Sequence, residues 1–172
     1  MRRILLIPLA LAAFVLAPAA AANAANTVSG ACSIAGSAHF TPTGLTSTPT
    51  DMGYSFSGTG SCSGTLNGAP ITNAPVSTSV SGNGTLSCAA ALSTTGHGTL
   101  TFPNQGVTIG FSISLAGAGS EVAFELQGDG GGAGAGHASF ATNGARALEC
   151  QNPSGLNDLG FAVEAGAANL TG

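Results

Sequence analysis

Two glutamates have the residue type that a glycoside hydrolase needs, and their spacing tests that chemistry. Such an enzyme uses two carboxyl groups roughly 5–10 Å apart. Glu121 and Glu125 share one face of an alternating segment, but four residues of extended chain separate their backbones by ~14 Å. Cross-strand pairing of other acids stays open, so a hydrolase with a cross-strand carboxylate pair is one alternative. No catalytic residue is assigned.

The three histidines are candidate metal ligands. Residues an odd number of positions apart on a strand point to opposite faces, so histidines paired in this way with core phenylalanines point outward. On neighbouring strands, outward imidazoles can bind Zn²⁺ or Cu²⁺. We favour isolated surface imidazoles, and we assign no metal ligand and no cofactor. The pairs at odd spacing are His39 with Phe40, His97 with Phe102, and His137 with Phe140.

Other motifs that bind ligands or form nucleophiles are weak. The sequence has no G-x-S-x-G nucleophile motif. The glycine-rich stretch Gly128–Gly136 lacks the lysine of a phosphate-binding loop, and we interpret it as a hairpin loop. The chain has no tryptophan and one tyrosine, so it lacks the usual aromatic platform for sugars. Tyr54 has the same phase as Phe56 and is predicted to lie in the core.

The four cysteines have the pattern of structural disulfides. An even number in an exported chain predicts two bonds, with three possible connectivities. We favour Cys32–Cys62 with Cys88–Cys150. Each bond would stabilise the fold by about 3–4 kcal/mol in the chain-entropy model. The paired C-x₂₋₄-C spacing of a zinc site is absent.

The first 24 residues have the three parts of a secretory signal peptide. Arg2 and Arg3 precede an apolar run, Ile4–Leu16, and the small-residue tract that follows ends in Ala24. We therefore expect cleavage after Ala24, with 25–172 forming one exported domain that is secreted or loosely held at the cell surface. The apolar run is shorter than the about 20 residues that span a bilayer.

Loss of the leader leaves a strongly acidic protein. Arg146 is then the only basic residue, and one base against seven acids gives a net charge of −6. Nucleic acids are bound through lysines and arginines, and anionic membranes attract the same residues. Both partners are therefore disfavoured.

The rest of the chain has the pattern of short antiparallel strands. Apolar residues alternate strictly from Val107 to Leu115, which predicts a strand with one buried face. Asn83-Gly84 and Asn143-Gly144 predict two-residue hairpins. About nine strands are expected in an all-β fold. We favour a two-sheet sandwich, immunoglobulin-like or jelly-roll-like, and an up-and-down β-barrel is the alternative.

The stretch Gly60–Gly68, together with the Ala/Gly/Ser/Thr-rich and nearly lysine-free composition, resembles small exported β-proteins of high-GC Gram-positive bacteria. That resemblance implies no known activity. In composition the chain is also similar to the enediyne-carrier apoproteins, which are immunoglobulin-like sandwiches, and this implies a ligand-carrying role. Its cysteine spacings of 30, 26 and 62 residues depart from the short disulfide loops of that family.

We therefore expect a non-enzymatic, exported binding or structural module. The main alternative is a small-molecule carrier with an apolar cavity, and an unfilled volume of about 300 Å³ or more would favour it. Candidate lining residues are Phe111, Ile113, Phe124 and Leu126.

Binding surfaces of β-proteins are usually formed by loops. The loops predicted to do so here are Thr41–Asp51, Leu66–Pro75 and Gln127–Gly136.

Overall fold

Eight antiparallel strands form a closed barrel in which every strand pairs with its neighbour in the chain. The computed structural model describes residues 25–141 and 144–172. The predicted leader, residues 1–24, lies outside this range. The elements are β1 Thr27–Thr41, β2 Thr50–Leu66, β3 Ala69–Leu86, β4 Ala90–Phe102, β5 Val107–Ala118, β6 Glu121–Gly128, β7 Gly131–Phe140, α1 Gly144–Glu149 and β8 Asp158–Thr171.

The barrel closes because β8 lies antiparallel to β1, with pairs running from Thr27–Thr171 to His39–Asp158. The favoured two-sheet sandwich is therefore wrong, and the alternative, an up-and-down barrel, is the architecture that forms. Alternating apolar residues bury one face of each strand in either fold. The deciding contact joins residues 119 to 144 positions apart in sequence, which no local pattern reveals.

The inward face of each strand supplies the core. The segment Val107–Leu115 forms most of β5, as predicted, and its five apolar side chains are buried. Tyr54 is also buried, which confirms its predicted place in the core. His39, His97 and His137 are exposed, as their spacing from the phenylalanines predicts.

The inner wall contains glycines where aromatic rings approach the backbone of neighbouring strands closely. A β-carbon at Gly82 would lie 2.5 Å from the Tyr54 hydroxyl oxygen, and one at Gly96 would lie 2.6 Å from it. A β-carbon at Gly98 would lie 2.9 Å from the Phe111 ring. Only glycine at these positions leaves room for the rings, so both rings lie directly on the backbone of their neighbouring strands.

Two predicted hairpins are absent from the places where Asn-Gly pairs predicted them. Asn83 and Gly84 lie inside β3, where β3 pairs with both β2 and β4 and has a register shift between Asn83 and Thr85. Gly84 is required there because a β-carbon would meet Thr94 on β4 at 2.6 Å. Gly144 begins α1, and residues 142–143 lie outside the described range. Residues 25–141 and 144–172 therefore form eight strands rather than about nine.

Two of the three predicted loops are hairpins with very short turns. Within Leu66–Pro75, Asn67-Gly68 makes the turn and the rest belongs to β2 and β3. Within Gln127–Gly136, the turn is residues 129–130, and most of the glycine-rich stretch pairs within β7. The glycines and alanines of this stretch predicted a loop, but most of them form the paired strand β7.

One end of the barrel is covered by two segments, 42–49 and 144–157, which we call the cap. The backbones of Leu45 and Leu156 exchange hydrogen bonds of 2.8 and 2.9 Å. The Ser47 amide donates to the Cys150 carbonyl, and the Cys88 amide donates to the Thr46 carbonyl. The cap is thus bonded both internally and to the turn between β3 and β4.

Both disulfides have the pairing favoured from the sequence. Cys32–Cys62 joins register partners on β1 and β2. Cys88–Cys150 joins the β3–β4 turn to the cap. The first bond therefore lies within the barrel wall, and the second fastens the cap to the wall.

The β2–β3 hairpin extends beyond the other end of the barrel. The first residues of β3 pair with β2, whereas the pairing with β4 begins at Ser77. Pro70 and Pro75 lie in this one-sided segment, where the missing N–H of proline costs no ladder hydrogen bond. Within the described range, no helix is long and apolar enough to cross a membrane.

Candidate functional site: two cavities inside the barrel

The barrel interior contains two cavities, one above the other. The upper cavity lies under the cap and has a volume of about 360 Å³. The lower cavity lies in the middle of the barrel and has a volume of about 80 Å³. Phe56, Leu115 and Phe140 line both, so these three side chains divide the interior.

The wall of the upper cavity is mostly aliphatic and aromatic. The barrel supplies one side of it and the cap supplies the other, so the space lies between strand ends and cap residues and is partly open to the outside. Burial of apolar surface in such a space contributes about 25 cal/mol per Å². The apolar lining includes Phe40, Leu45, Leu86, Ala91, Val122, Leu156 and Leu159.

Two polar side chains in this wall already have partners. The Ser87 hydroxyl accepts hydrogen bonds from the amides of Ala89 and Ala90, at 3.2 and 3.1 Å. The Thr94 hydroxyl donates to the Leu92 carbonyl at 3.3 Å. Both hydroxyls are hydrogen-bonded to nearby backbone groups, so neither needs a hydrogen bond from a ligand.

Tyr54 is different, because its buried hydroxyl has no hydrogen-bond partner among the described residues. The residue is only 4% exposed, and burial raises the pKa of its hydroxyl to about 12. It lines the upper cavity. The sequence placed Tyr54 in the core but gave no sign that its hydroxyl lacks a partner, since that depends on the neighbouring strands.

The four residues predicted to line a carrier cavity do not line the larger one. Phe111, Ile113, Phe124 and Leu126 all line the lower cavity, whose volume is well below the about 300 Å³ of small ligand pockets. Of the two interior cavities, the upper one exceeds that value. The predicted inward direction of these side chains is confirmed. The larger cavity, however, is formed under the cap, whose two segments are distant from these residues in sequence.

The disulfides contribute unequally to the cavities. Cys88 and Cys150 both line the upper cavity, whereas Cys32 lines the lower one. Of the loops predicted as binding surfaces, Thr41–Asp51 contributes Leu45 and Ser47 to the upper cavity. The other two are hairpins at the opposite end of the barrel.

The acidic residues on the strands face neutral or histidine partners. Glu125 lies opposite Ser114 and Ala135, and Glu121 lies opposite Ala118 and Ser139. In the ladders of the described strands, no two carboxylate residues are register partners. Direct register pairing therefore brings no two of these carboxylates together.

One outward row of the barrel places a serine, a histidine and an aspartate side by side. His39 Nδ1 lies 2.9 Å from Asp158 Oδ1, and Ser55 is the partner of His39 on β2. The His39 and Asp158 side chains are 53% and 72% exposed, and Ser55 is exposed as well. Nucleophilic triads act in sites that exclude water, so this row fits a solvated surface pair. Residues 25–141 and 144–172 hold no cluster of three potential metal ligands.

An open groove of about 1260 Å³ crosses the outer face from β2 to β7. Two neighbouring polar rows border it, and their side chains carry hydroxyl, amide, imidazole and carboxylate groups. The first row is Ser55, Ser81, His97, Ser112 and Gln127, and the second is Asn83, Thr95, Ser114 and Glu125.

Comparisons of this chain with protein-family models, with curated proteins and with solved structures find no match.

Proposed function

We propose that this protein is an exported, non-enzymatic binding protein that carries one small, largely apolar molecule in the upper cavity. The observation that supports the proposal is the cavity of about 360 Å³ between the barrel and the cap. This volume falls in the range of about 300–1000 Å³ that ligand pockets occupy. An eight-stranded barrel is also just wide enough to hold one small ligand.

Export is part of the same proposal. A leader of 24 residues, cleaved after Ala24, would deliver the chain to the outside of the cell. Two disulfides fit an extracellular protein, because such bonds persist in oxidising compartments. A covalently fastened barrel would keep its ligand sequestered during diffusion outside the cell.

The test is binding of N-phenyl-1-naphthylamine, whose fluorescence rises in apolar surroundings. The wild-type protein should bind one equivalent. Ala91→Leu should weaken binding at least tenfold, because residue 91 is buried and lines the upper cavity. The matched control is Ala123→Leu on the exposed face of β6, which should bind like the wild type.

Intact mass of the protein from culture supernatant provides a second measurement. A mass beginning at Ala25, with additional mass that denaturation removes, would support export and a carried ligand together. A wild-type protein that fails to bind the probe while its thermal unfolding is cooperative would contradict the carrier proposal.

The outer groove supports a second candidate, a binding module for a neutral extended polymer at the cell surface. Its two rows of hydroxyl and amide groups suit hydrogen bonding to a glycan chain. Co-sedimentation with insoluble cellulose, chitin or peptidoglycan tests it. Gln127→Ala should reduce the bound fraction, whereas Thr59→Ala, exposed on β2 outside the groove, should not. Equal sedimentation of both variants would count against the groove.

A further inference from the structure

We infer that small molecules enter and leave the upper cavity through an opening beside α1, whose rim is formed by Ala89, Gly119, Ala141 and Ala147. We call this opening the portal. The inference rests on the proposed carrier function and adds to it the route by which the ligand is exchanged. It follows from which lining residues reach solvent, from the bonds that join them and from the size of their side chains.

The first step is the exposure of the cavity wall. The upper cavity is partly open to the outside, so some of its lining residues must also border solvent. Most of the described lining residues are buried or half-buried. The residues that line the cavity and are exposed are Ser47, Ala89, Gly119, Ala141, Ala147 and Gln151. The opening therefore lies among these six residues.

The second step is that the rim residues lie along one bonded edge. The Gly119 amide donates a hydrogen bond of 2.8 Å to the Ala89 carbonyl. The Phe140 amide, directly before Ala141, donates a hydrogen bond of 2.9 Å to the Ser120 carbonyl. The turn between β3 and β4 is thus bonded to the turn between β5 and β6, and that second turn is bonded to the end of β7.

The Cys88–Cys150 disulfide closes this edge into a ring. The helix α1, which contains Ala147, follows β7 in the chain, and Cys150 comes directly after the helix. Through the disulfide, Cys150 is joined back to Cys88 in the turn between β3 and β4. The other exposed lining residues, Ser47 and Gln151, lie on the Cys150 side of the ring, because the Ser47 amide donates to the Cys150 carbonyl. The exposed part of the cavity wall is therefore one continuous rim.

The third step is the size of the side chains on this rim. Alanine has one carbon atom beyond the backbone and glycine has none, so Ala89, Gly119, Ala141 and Ala147 leave the passage clear. The buried part of the wall instead contains phenylalanine and leucine side chains. A large side chain placed at any of the four rim positions would narrow the portal.

The first experiment measures exchange of N-phenyl-1-naphthylamine by stopped flow. Ala89→Trp and Ala141→Trp should each lower the association and dissociation rate constants together, at least tenfold, and leave the Kd within threefold. The reason is that a narrowed portal raises the barrier between the free and bound states and changes neither state. The matched control is Ala123→Trp on the exposed face of β6, which should exchange the probe like the wild type.

The second experiment tests the portal without a bound ligand. Val122 is buried and lines the upper cavity. All four native cysteines form disulfides, so Val122→Cys introduces a single free thiol. Methyl methanethiosulfonate is small and uncharged. The thiolate attacks its sulfur, which forms a methyl disulfide and releases methanesulfinate.

This reagent should label Val122→Cys in the folded protein. Addition of Ala141→Trp to that variant should slow the labelling at least tenfold, because the reagent must pass the narrowed rim. Addition of Ala123→Trp should leave the labelling rate unchanged. If Ala141→Trp does not unfold cooperatively in a thermal scan, Ala89→Trp takes its place in both experiments.

The outcomes separate the portal from the proposed function. Labelling of Val122→Cys that is unaffected by a folded rim variant would overturn the portal. A higher Kd with an unchanged association rate constant would mean that the introduced ring fills the cavity, which would contradict a rim position. Slower labelling in the rim variant, together with no probe binding by the folded wild type, would support the portal and overturn the carrier function.

Discussion

Cys88 and Cys150 are joined at the mouth of the barrel, so the bond that fastens the cap also forms part of the upper cavity wall. Cys88 follows β3 and Cys150 follows α1. The same two residues therefore determine both how firmly the cap is held and which surface a ligand meets beneath it.

Removal of this disulfide should open the cavity. We expect Cys88→Ala/Cys150→Ala to release bound N-phenyl-1-naphthylamine at least tenfold faster in stopped-flow dilution, because the cap would then be held by non-covalent contacts alone. The stability loss should be about 3–4 kcal/mol. Cys32→Ala/Cys62→Ala is the control, with a similar loss of stability and little change in release rate. Equal release rates in both double variants would argue against a cap that is held closed by the Cys88–Cys150 disulfide.

The Tyr54 hydroxyl should titrate far above an ordinary tyrosine. Burial raises its pKa to about 12, against 10.0 for an ordinary tyrosine. Since the chain has one tyrosine, tyrosinate absorbance in a pH titration reports this residue alone. A midpoint near 10.0, the pKa of an ordinary tyrosine, in the folded protein would contradict the buried position.

The same shift makes stability depend on pH at the alkaline end. The unfolded chain loses the tyrosine proton before the folded protein does, so the free energy of unfolding falls as pH rises from about 10 to 12. Below pH 10 both states keep the proton and this residue adds no pH dependence. Urea midpoints at pH 9 and pH 11 should differ more in the wild type than in Tyr54→Phe.

Gly96→Ala should destabilise the barrel. Its β-carbon would lie 2.6 Å from the Tyr54 hydroxyl oxygen and 2.7 Å from the Ser81 carbonyl oxygen. We expect a loss of about 1–3 kcal/mol in urea unfolding, with part of it restored by adding Tyr54→Phe. Gly160→Ala is the control, because its β-carbon would meet its nearest atom at 3.9 Å. An unaffected Gly96→Ala would mean that the ring does not lie on β4.

Replacement of the prolines in the extended part of β3 should promote association. Pro70 and Pro75 remove N–H donors from a segment that pairs on one side only, and edge prolines oppose strand addition. We expect Pro70→Thr/Pro75→Thr to form dimers or larger species in sedimentation velocity at concentrations where the wild type does not. Pro103→Thr, in the turn after β4, is the control. A double variant that sediments like the wild type would contradict the idea that Pro70 and Pro75 prevent association through this segment.

Local patterns in the sequence predict the strands well. Strict alternation at Val107–Leu115 identifies β5, and the odd spacing from phenylalanines places all three histidines outside. Closure is not predictable in the same way, because Thr27 and Thr171 pair across the whole length of the domain. The Asn-Gly signals mislead for a related reason. The local preference of Asn83-Gly84 is for a turn. The residues before and after it pair with both β2 and β4, so Asn83 and Gly84 become part of β3.

The candidate site is less predictable than the fold. The inward direction of Phe111 or Ile113 follows from period two, whereas the height of each residue along the barrel follows from register. The upper cavity exists because residues 42–49 and 144–157 meet above it, and neither segment has a periodic pattern. The sequence assigned Tyr54 to the core, but the lack of a partner for its hydroxyl emerges only from the glycines facing it.

The two ends of the described domain meet. The backbones of Asn26 and Gly172 exchange hydrogen bonds of 2.9 and 3.0 Å, at the end of the barrel opposite the cap. A short linker between these residues would therefore join them without crossing the barrel, and new ends could be opened in the 103–106 turn. Such a circular permutant should keep its cavity. A reporter joined next to Asn26 or Gly172 would lie at the end of the barrel opposite the cap. Tethering the protein to a surface at either residue would likewise leave the cap facing away from that surface.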